Sequence, residues 1–174
     1  MKKAVFLDRD GVVNKAFIRN GLPTPPISLN ELEILPGVKE SILRLKKLNY
    51  ICLLVTNQPD VSRGKIEKKT VIKINNYLKD ETKFDDIFVC YHDDHDKCNC
   101  RKPKPGLLLE ASEKWNIDLK KSYMIGDRWK DIEAGKCAGC KTIFIDYNYK
   151  ETKPKNPDFI TDSLLSSVHI IERI

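Results

Sequence analysis

Asp8-Arg9-Asp10-Gly11 sets two carboxylates two residues apart, directly after the apolar run Ala4-Val5-Phe6-Leu7. Such a run reads as a buried strand, and its carboxyl end is where an open α/β sheet gathers its chemistry. Acids at i and i+2 suit one as nucleophile and the other as proton carrier. The pattern is weak by itself, since an Asp-rich turn with glycine after a strand is commonly structural. Three further segments give it weight. Val55-Thr56-Asn57-Gln58 follows the apolar run Ile51 to Leu54 and offers a hydroxyl and amides at a second strand end. Arg101-Lys102-Pro103-Lys104-Pro105-Gly106 sets cations before a helical pattern, and Ile125-Gly126-Asp127-Arg128-Trp129-Lys130-Asp131 adds two carboxylates after another short strand.

A second constellation lies between them. Cys90-Tyr91-His92 and Cys98-Asn99-Cys100 are two pairs of ligating residues, each with one residue between, separated by five residues. Four nitrogen and sulfur ligands with no open position describe a structural tetrahedral zinc site. Cys100 immediately precedes Arg101 and Lys102, so zinc would staple the loop that aims both cations. His95 falls outside the paired spacing, and Asp93, Asp94 and Asp96 read as solvated turn residues. Cys52, inside an apolar strand, reads as core. Cys137 and Cys140 have the C-x-x-C spacing, but Gly139 suits the end of a helix there, which favours a structural reading over a redox one.

Strand and helix patterns alternate, which predicts a mostly parallel sheet with helices on both faces. Strands are expected at 4–7, 51–55, 86–90, 122–125 and 141–145, with a short one near 158–160. Val38, Ile42, Leu45 and Leu48 recur at helical spacing over 36–48, with Pro36 suited to the first turn. Further helices are expected at 65–79, 105–115, 129–138 and 162–171. Residues 14–35, with Pro23, Pro25 and Pro26, form the longest irregular stretch, and long loops beside a catalytic strand are often functional. Lys150 to Pro157 reads as a surface loop, and Tyr147 and Tyr149 as packing residues.

In this order and spacing the four segments resemble the signature of the haloacid dehalogenase superfamily of phosphohydrolases, and the resemblance spans about residues 4 to 146. It implies a Rossmann-like core in which Asp8 attacks phosphorus to form an aspartyl-phosphate. Asp10 would protonate the leaving oxygen and then take a proton from the hydrolysing water. Two carboxylates beside a phosphate call for a hard cation, and Mg²⁺ fits. The family pattern places it on the Asp8 carboxylate, the Asp10 main-chain carbonyl and Asp127. Asp131 either supports that site from behind or is an idle surface acid. Thr56 matches the family's phosphate-binding hydroxyl and Lys102 the lysine that neutralises the transferring group. Asn57 and Arg101 would reach phosphate or substrate, and Arg63 a distal phosphate. Arg128 stands where several relatives carry lysine.

The zinc loop resembles that of capless phosphatases acting on D-glycero-D-manno-heptose 1,7-bisphosphate and on histidinol phosphate. The run from Asp8 to Asn14 is closer to the heptose enzymes, whereas the compact gap between His92 and Cys98 resembles the histidinol enzymes. Asp60 replaces a glycine that the heptose enzymes commonly carry.

The 174 residues, 41% of them hydrophobic, suit a single domain over 1–174, with a zinc loop at 90–100 and no room for a folded cap. The net charge of +6 is spread along the chain, which suits an anionic substrate without implying nucleic acid. A polynucleotide 3′-phosphatase would want a basic stripe with interleaved aromatics, which is missing. A zinc-bearing scaffold would need none of Asp8, Asp10, Thr56, Lys102 and Asp127. The apolar run after Lys2-Lys3 stops at Asp8, too soon for a signal peptide, and no run approaches a spanning length. The resemblance implies a cytoplasmic, monomeric, Mg²⁺-dependent and zinc-stabilised phosphatase that removes the 7-phosphate of D-glycero-D-manno-heptose 1,7-bisphosphate on the way to nucleotide-activated heptose, with histidinol phosphate as the alternative substrate.

Overall fold

The computed structural model describes residues 1–19 and 21–174. In chain order its elements are β1 (Lys3–Leu7), β2 (Phe17–Arg19), β3 (Leu22–Thr24), α1 (Val38–Lys47), β4 (Tyr50–Asn57), α2 (Lys68–Thr82), β5 (Asp86–Cys90), α3 (Gly106–Trp115), β6 (Tyr123–Gly126), α4 (Trp129–Ala138), β7 (Lys141–Ile145), β8 (Phe159–Thr161) and α5 (Leu164–Arg173). Six strands form one parallel sheet in the order β5-β4-β1-β6-β7-β8. This is the mostly parallel, helix-covered architecture the alternation predicts.

The central strands are apolar at nearly every position because both faces are covered. Alternate side chains then serve opposite layers. Val5, Leu7, Cys52, Leu54, Ile125 and Ile143 pack with Ile42 and Leu45 of α1, Ile74 of α2 and Val168 of α5. Ala4, Phe6, Leu53, Val55 and Met124 pack on the other side with Leu107, Leu108 and Ala111 of α3 and Ala134 of α4.

Register decides what the sheet presents at its carboxyl edge. Leu7 pairs with Leu54 on one side and with Ile125 on the other, so Asp8, Thr56 and Asp127 emerge from three adjacent strands. Connections leave β1 toward β4 on one side while β6 takes the other, and that reversal opens the crevice in which such sheets bind ligands. Asn57 pairs with Cys90, which brings the start of the cysteine loop beside the same edge.

Several helix boundaries differ from expectation, α5 among them, which lies two residues further along than 162–171. Gly37, with φ 76°, occupies the N-cap of α1, so Pro36 lies before the helix rather than in its first turn. Helix α2 runs three residues further along at both ends than the apolar spacing suggests, and Lys83 closes it at φ 62°. The 14–35 stretch is not wholly irregular either, for β2 and β3 form an antiparallel hairpin. Three-residue strands, one holding Pro23, carry too short an alternation to be read, and proline is tolerated only where a strand lies at an edge.

Leu54 is fully buried between Leu7 and the helical layer. Leu54→Ala is expected to lower unfolding free energy by about 2 to 5 kcal/mol, read by urea denaturation. A loss under about 1 kcal/mol would mean that this layer is not the close-packed core.

Candidate active site

The turn after β1 is wound tightly by hydrogen bonds from the Val13 and Asn14 amides to the Arg9 carbonyl, at 2.9 and 3.0 Å. Gly11 sits in this turn at φ +94°, and a Cβ there would lie 2.0 Å from Asp127 Oδ2, so both conformation and space demand glycine. The Asp10 carboxylate accepts from Asn14 Nδ2 at 3.0 Å, Gln58 Nε2 at 2.8 Å and Arg9 Nε at 3.2 Å. Arg9 is fully buried and donates from Nη1 to Asn75 of α2 at 2.9 Å. Gln58, also buried, gives its second amide bond to the Thr56 hydroxyl at 2.9 Å. Arg9 and Gln58 thus fix the pose of Asp10 and Thr56.

Lys102 is the hub. Its ammonium donates to Asp8 Oδ1 at 2.6 Å and the Val55 carbonyl at 2.9 Å, and lies 2.6 Å from Asp131 Oδ1. Burial would lower its pKa, but the carboxylates of Asp131 and Asp8 outweigh that and hold it above the ordinary lysine value. Asn57 clamps the same residue's backbone, donating to the Lys102 carbonyl at 3.0 Å and accepting from its amide at 3.1 Å. Asn57 therefore orients Lys102, and it also lines the cleft above the strand ends.

Asp131 is no idle surface acid. It is buried, pairs with Lys102 and accepts the Arg128 backbone N–H at 3.1 Å, which starts α4. Oxygen atoms of Asp8, Asp127 and Asp131 all lie within 4.8 Å of one another. Burial, opposed chiefly by Lys102, raises the Asp8 pKa to about 6. Burial, with the charges of Asp8 and Asp131, lifts Asp127 well above the ordinary carboxylate range.

The four cysteine-loop residues converge. Sγ atoms of Cys90, Cys98 and Cys100 are 3.2, 3.5 and 3.7 Å apart, and His92 Nδ1 lies 3.3 Å from Cys100 Sγ and 3.7 Å from Cys90 Sγ. Thiolates around one zinc at about 2.3 Å would stand about 3.8 Å apart. The intervening acids are not merely solvated. Asp93 holds the Arg63 guanidinium by two bonds, at 2.6 and 2.7 Å, and Asp94 accepts Arg101 Nε at 2.7 Å. Asp60 accepts the remaining Arg63 bond at 3.2 Å, which gives that replacement of glycine a role.

A cleft of about 640 Å³ opens above the strand ends. Asp8, Asp10, Asn57 and Lys102 lie on its floor, with Arg63, Arg101 and Arg128 at its wall and the β2–β3 hairpin along one side. Arg128 is tied to Glu151 in a two-bond fork, through Nε at 2.8 Å and through Nη2. The 150–157 loop thus contributes a partner that its surface composition concealed.

Residues 99–167 match a family model described as HAD-hydrolase-like. The D-glycero-beta-D-manno-heptose-1,7-bisphosphate 7-phosphatase of Vibrio cholerae is 36% identical, over 99% of this chain and 98% of its own. The chain belongs to the haloacid dehalogenase phosphatases. The D-glycero-alpha-D-manno-heptose-1,7-bisphosphate 7-phosphatase of Campylobacter jejuni is 33% identical over 82% of this chain and 81% of its own. A D,D-heptose 1,7-bisphosphate phosphatase from B. bronchiseptica, crystallised with magnesium and phosphate, superposes with a TM-score of 0.80 at 27% identity, covering 98% of both chains.

The residues of this haloacid dehalogenase phosphatase fit the two metals expected of it. Both carboxylate oxygens of Asp127 are buried without a hydrogen-bond partner among the described residues, a costly state that a cation relieves. An all-oxygen donor set beside Asp8 suits a hard divalent ion such as Mg²⁺. The Cys₃His cluster suits zinc. Among the described residues no helix is long and apolar enough to cross a membrane. Sequence reading passed over Arg9, and only the unusual placement of arginine between two acids hinted at it.

The purified protein is expected to carry about one zinc per chain, and Cys98→Ser to lose it with a lower Tm. Full zinc retention in the variant, measured by plasma emission spectrometry, would contradict this site.

Proposed function

We propose that this phosphatase removes the 7-phosphate of D-glycero-D-manno-heptose 1,7-bisphosphate, with Asp8 as nucleophile. The observation that carries the chemistry is the Asp8 carboxylate, held 2.6 Å from a buried lysine on the cleft floor and within 4.8 Å of the unpartnered Asp127. The substrate reading draws support from the heptose-bisphosphate phosphatases that match this chain along nearly its whole length. They favour the clue of the Asp8 to Asn14 run over that of the compact zinc loop.

In this mechanism Asp8 Oδ forms a bond to phosphorus as the bond from phosphorus to the sugar oxygen breaks. Asp10, aimed by Asn14, Gln58 and Arg9, gives a proton to that leaving oxygen. Water then attacks the aspartyl-phosphate, Asp10 takes the water's proton, and the bond to Asp8 breaks to release phosphate. Lys102 offsets the charge on Asp8 and on the transferring group, while Thr56 holds a phosphate oxygen. The Asp8 carboxylate, the Asp10 main-chain carbonyl and Asp127 would hold Mg²⁺, which supplies a fixed positive charge for the crowded oxygens. Zinc at Cys90, His92, Cys98 and Cys100 would keep the loop leading to Arg101 and Lys102 in place. The chain's own hairpin and zinc loop rim the cleft, which supports a single domain working without a cap.

The test is Mg²⁺-dependent phosphate release from both anomers of the bisphosphate, compared with histidinol phosphate and a 3′-phosphorylated oligonucleotide. A lead in kcat/KM for a heptose bisphosphate is expected, with Asp8→Asn slower by about a thousandfold or more. A lead for histidinol phosphate would overturn the substrate, and equal release by Asp8→Asn would overturn the nucleophile.

Metal and pH are linked at the same carboxylate. A carboxyl whose native pKa is raised from 3.8 to about 6 binds its proton more tightly in the folded state. The stability this supplies is complete below the unfolded value and lost as pH rises through the native one. Mg²⁺ should therefore raise Tm more at about pH 7.5 than at about pH 5. An equal rise at both, by scanning calorimetry, would show that the ion does not engage Asp8.

A further inference from the structure

A bisphosphate needs a second anion site away from Asp8, and the ion pairs of the cleft wall narrow the choice. Arg63 is held by Asp93 and Asp60, Arg101 by Asp94, and Arg128 by Glu151. Arg19, on the hairpin side, is bonded to Glu31 at 2.8 Å. An anion arriving at any of these must compete with a carboxylate already in place. Lys65 and Lys130 also line the cleft, and neither has an ion pair among the described residues. Lys65 is exposed, where a lone ammonium is well solvated, whereas Lys130 is half-buried in the first turn of α4. Burial lowers its pKa, and of the nearby charges Asp94 and Glu151 oppose that while the guanidiniums of Arg101 and Arg128 add to it. Next to it, Asp131 is already committed to Lys102.

The geometry points to Lys130 as the residue that receives the second, non-reacting phosphate and so sets the preference for a bisphosphate over a monophosphate. A half-buried ammonium that lines the same cleft as Arg101 and Arg128 and has no ion pair among the described residues gains more from an incoming dianion than the paired arginines do. Arg101 and Arg128 add their field without surrendering their partners. Lys130 is thus a specificity-determining cation at the wall of the cleft, separate from the reacting groups on its floor. The assignment rests on the phosphatase reading above and replaces Arg63, the earlier candidate for that phosphate.

The experiment compares wild type, Lys130→Gln and Lys130→Arg on heptose 1,7-bisphosphate, heptose 7-phosphate, and the pair fructose 1,6-bisphosphate and fructose 6-phosphate. Lys130→Gln is expected to lose about ten- to a hundredfold in kcat/KM on the bisphosphate, carried by KM. The loss on the matching monophosphate should be at least about tenfold smaller, and Lys130→Arg should recover most of the difference. Equal losses on both members of a pair, or no loss on the bisphosphate, would overturn the assignment. Should wild type ignore the heptose compounds yet show a Lys130-dependent preference for the fructose bisphosphate, the heptose reading fails and Lys130 stands. Indifference of wild type to the second phosphate in both pairs overturns Lys130.

Discussion

The site is organised by a charge imbalance buried at the end of the sheet. Asp8, Asp127 and Asp131 are buried and crowd within 4.8 Å, and the Lys102 ammonium is embedded among them. Fully ionised, three carboxylates and one ammonium leave a formal charge of about −2, which a desolvated site cannot hold unaided. The raised pKa of Asp8 and the two unpartnered oxygens of Asp127 are the consequences. A bound divalent cation would cancel the excess, and a phosphoryl group could then approach a carboxylate that would otherwise repel it. Charge neutrality with the ion bound, rather than the strength of any one pair, sets the identity of these four residues.

Holding that arrangement requires parts from the whole sheet. The Lys102 ammonium ties β1, β4 and the start of α4 together through Asp8, Val55 and Asp131, and Asn57 locks the Lys102 backbone to the end of β4. The Asn57–Cys90 register sets the cysteine cluster next to this clamp, and Cys100 leads directly into Arg101 and Lys102. Metal ligation in the loop would therefore be mechanically linked to ammonium placement in the site. Gly11 and Gly126 let the layers close, since a Cβ at Gly126 would fall 2.1 Å from Asp131 Cβ.

Much of this was legible from residue types and spacing. The strands announced themselves because burial on both faces leaves almost no polar position, and Asp8, Thr56, Asp127, Lys102 and the four cysteine-loop residues stand where the motifs put them. What escaped detection depends on partners distant in sequence. Asp131 stayed open between a support for the metal site and an idle surface acid because its burial follows from Lys102, which is 29 positions away and delivered by another loop. Asp93 and Asp94 resemble any solvated turn until Arg63 and Arg101 are seen against them. Arg9 gave no periodic signal, as its counterparts are Asp10 next door and Asn75 on a helix far along the chain. The hairpin was missed because three-residue strands have no period to detect.

The central claim, that this charge balance makes Asp8 a nucleophile, is tested most directly by trapping. Enzyme quenched in acid during turnover of the bisphosphate, reduced with tritiated borohydride, which expels the phosphate, and digested with trypsin, should yield a peptide ending at Arg9 with Asp8 converted to tritium-labelled homoserine. Label on any other residue, or phosphate release with no trapped adduct at Asp8, would contradict the account.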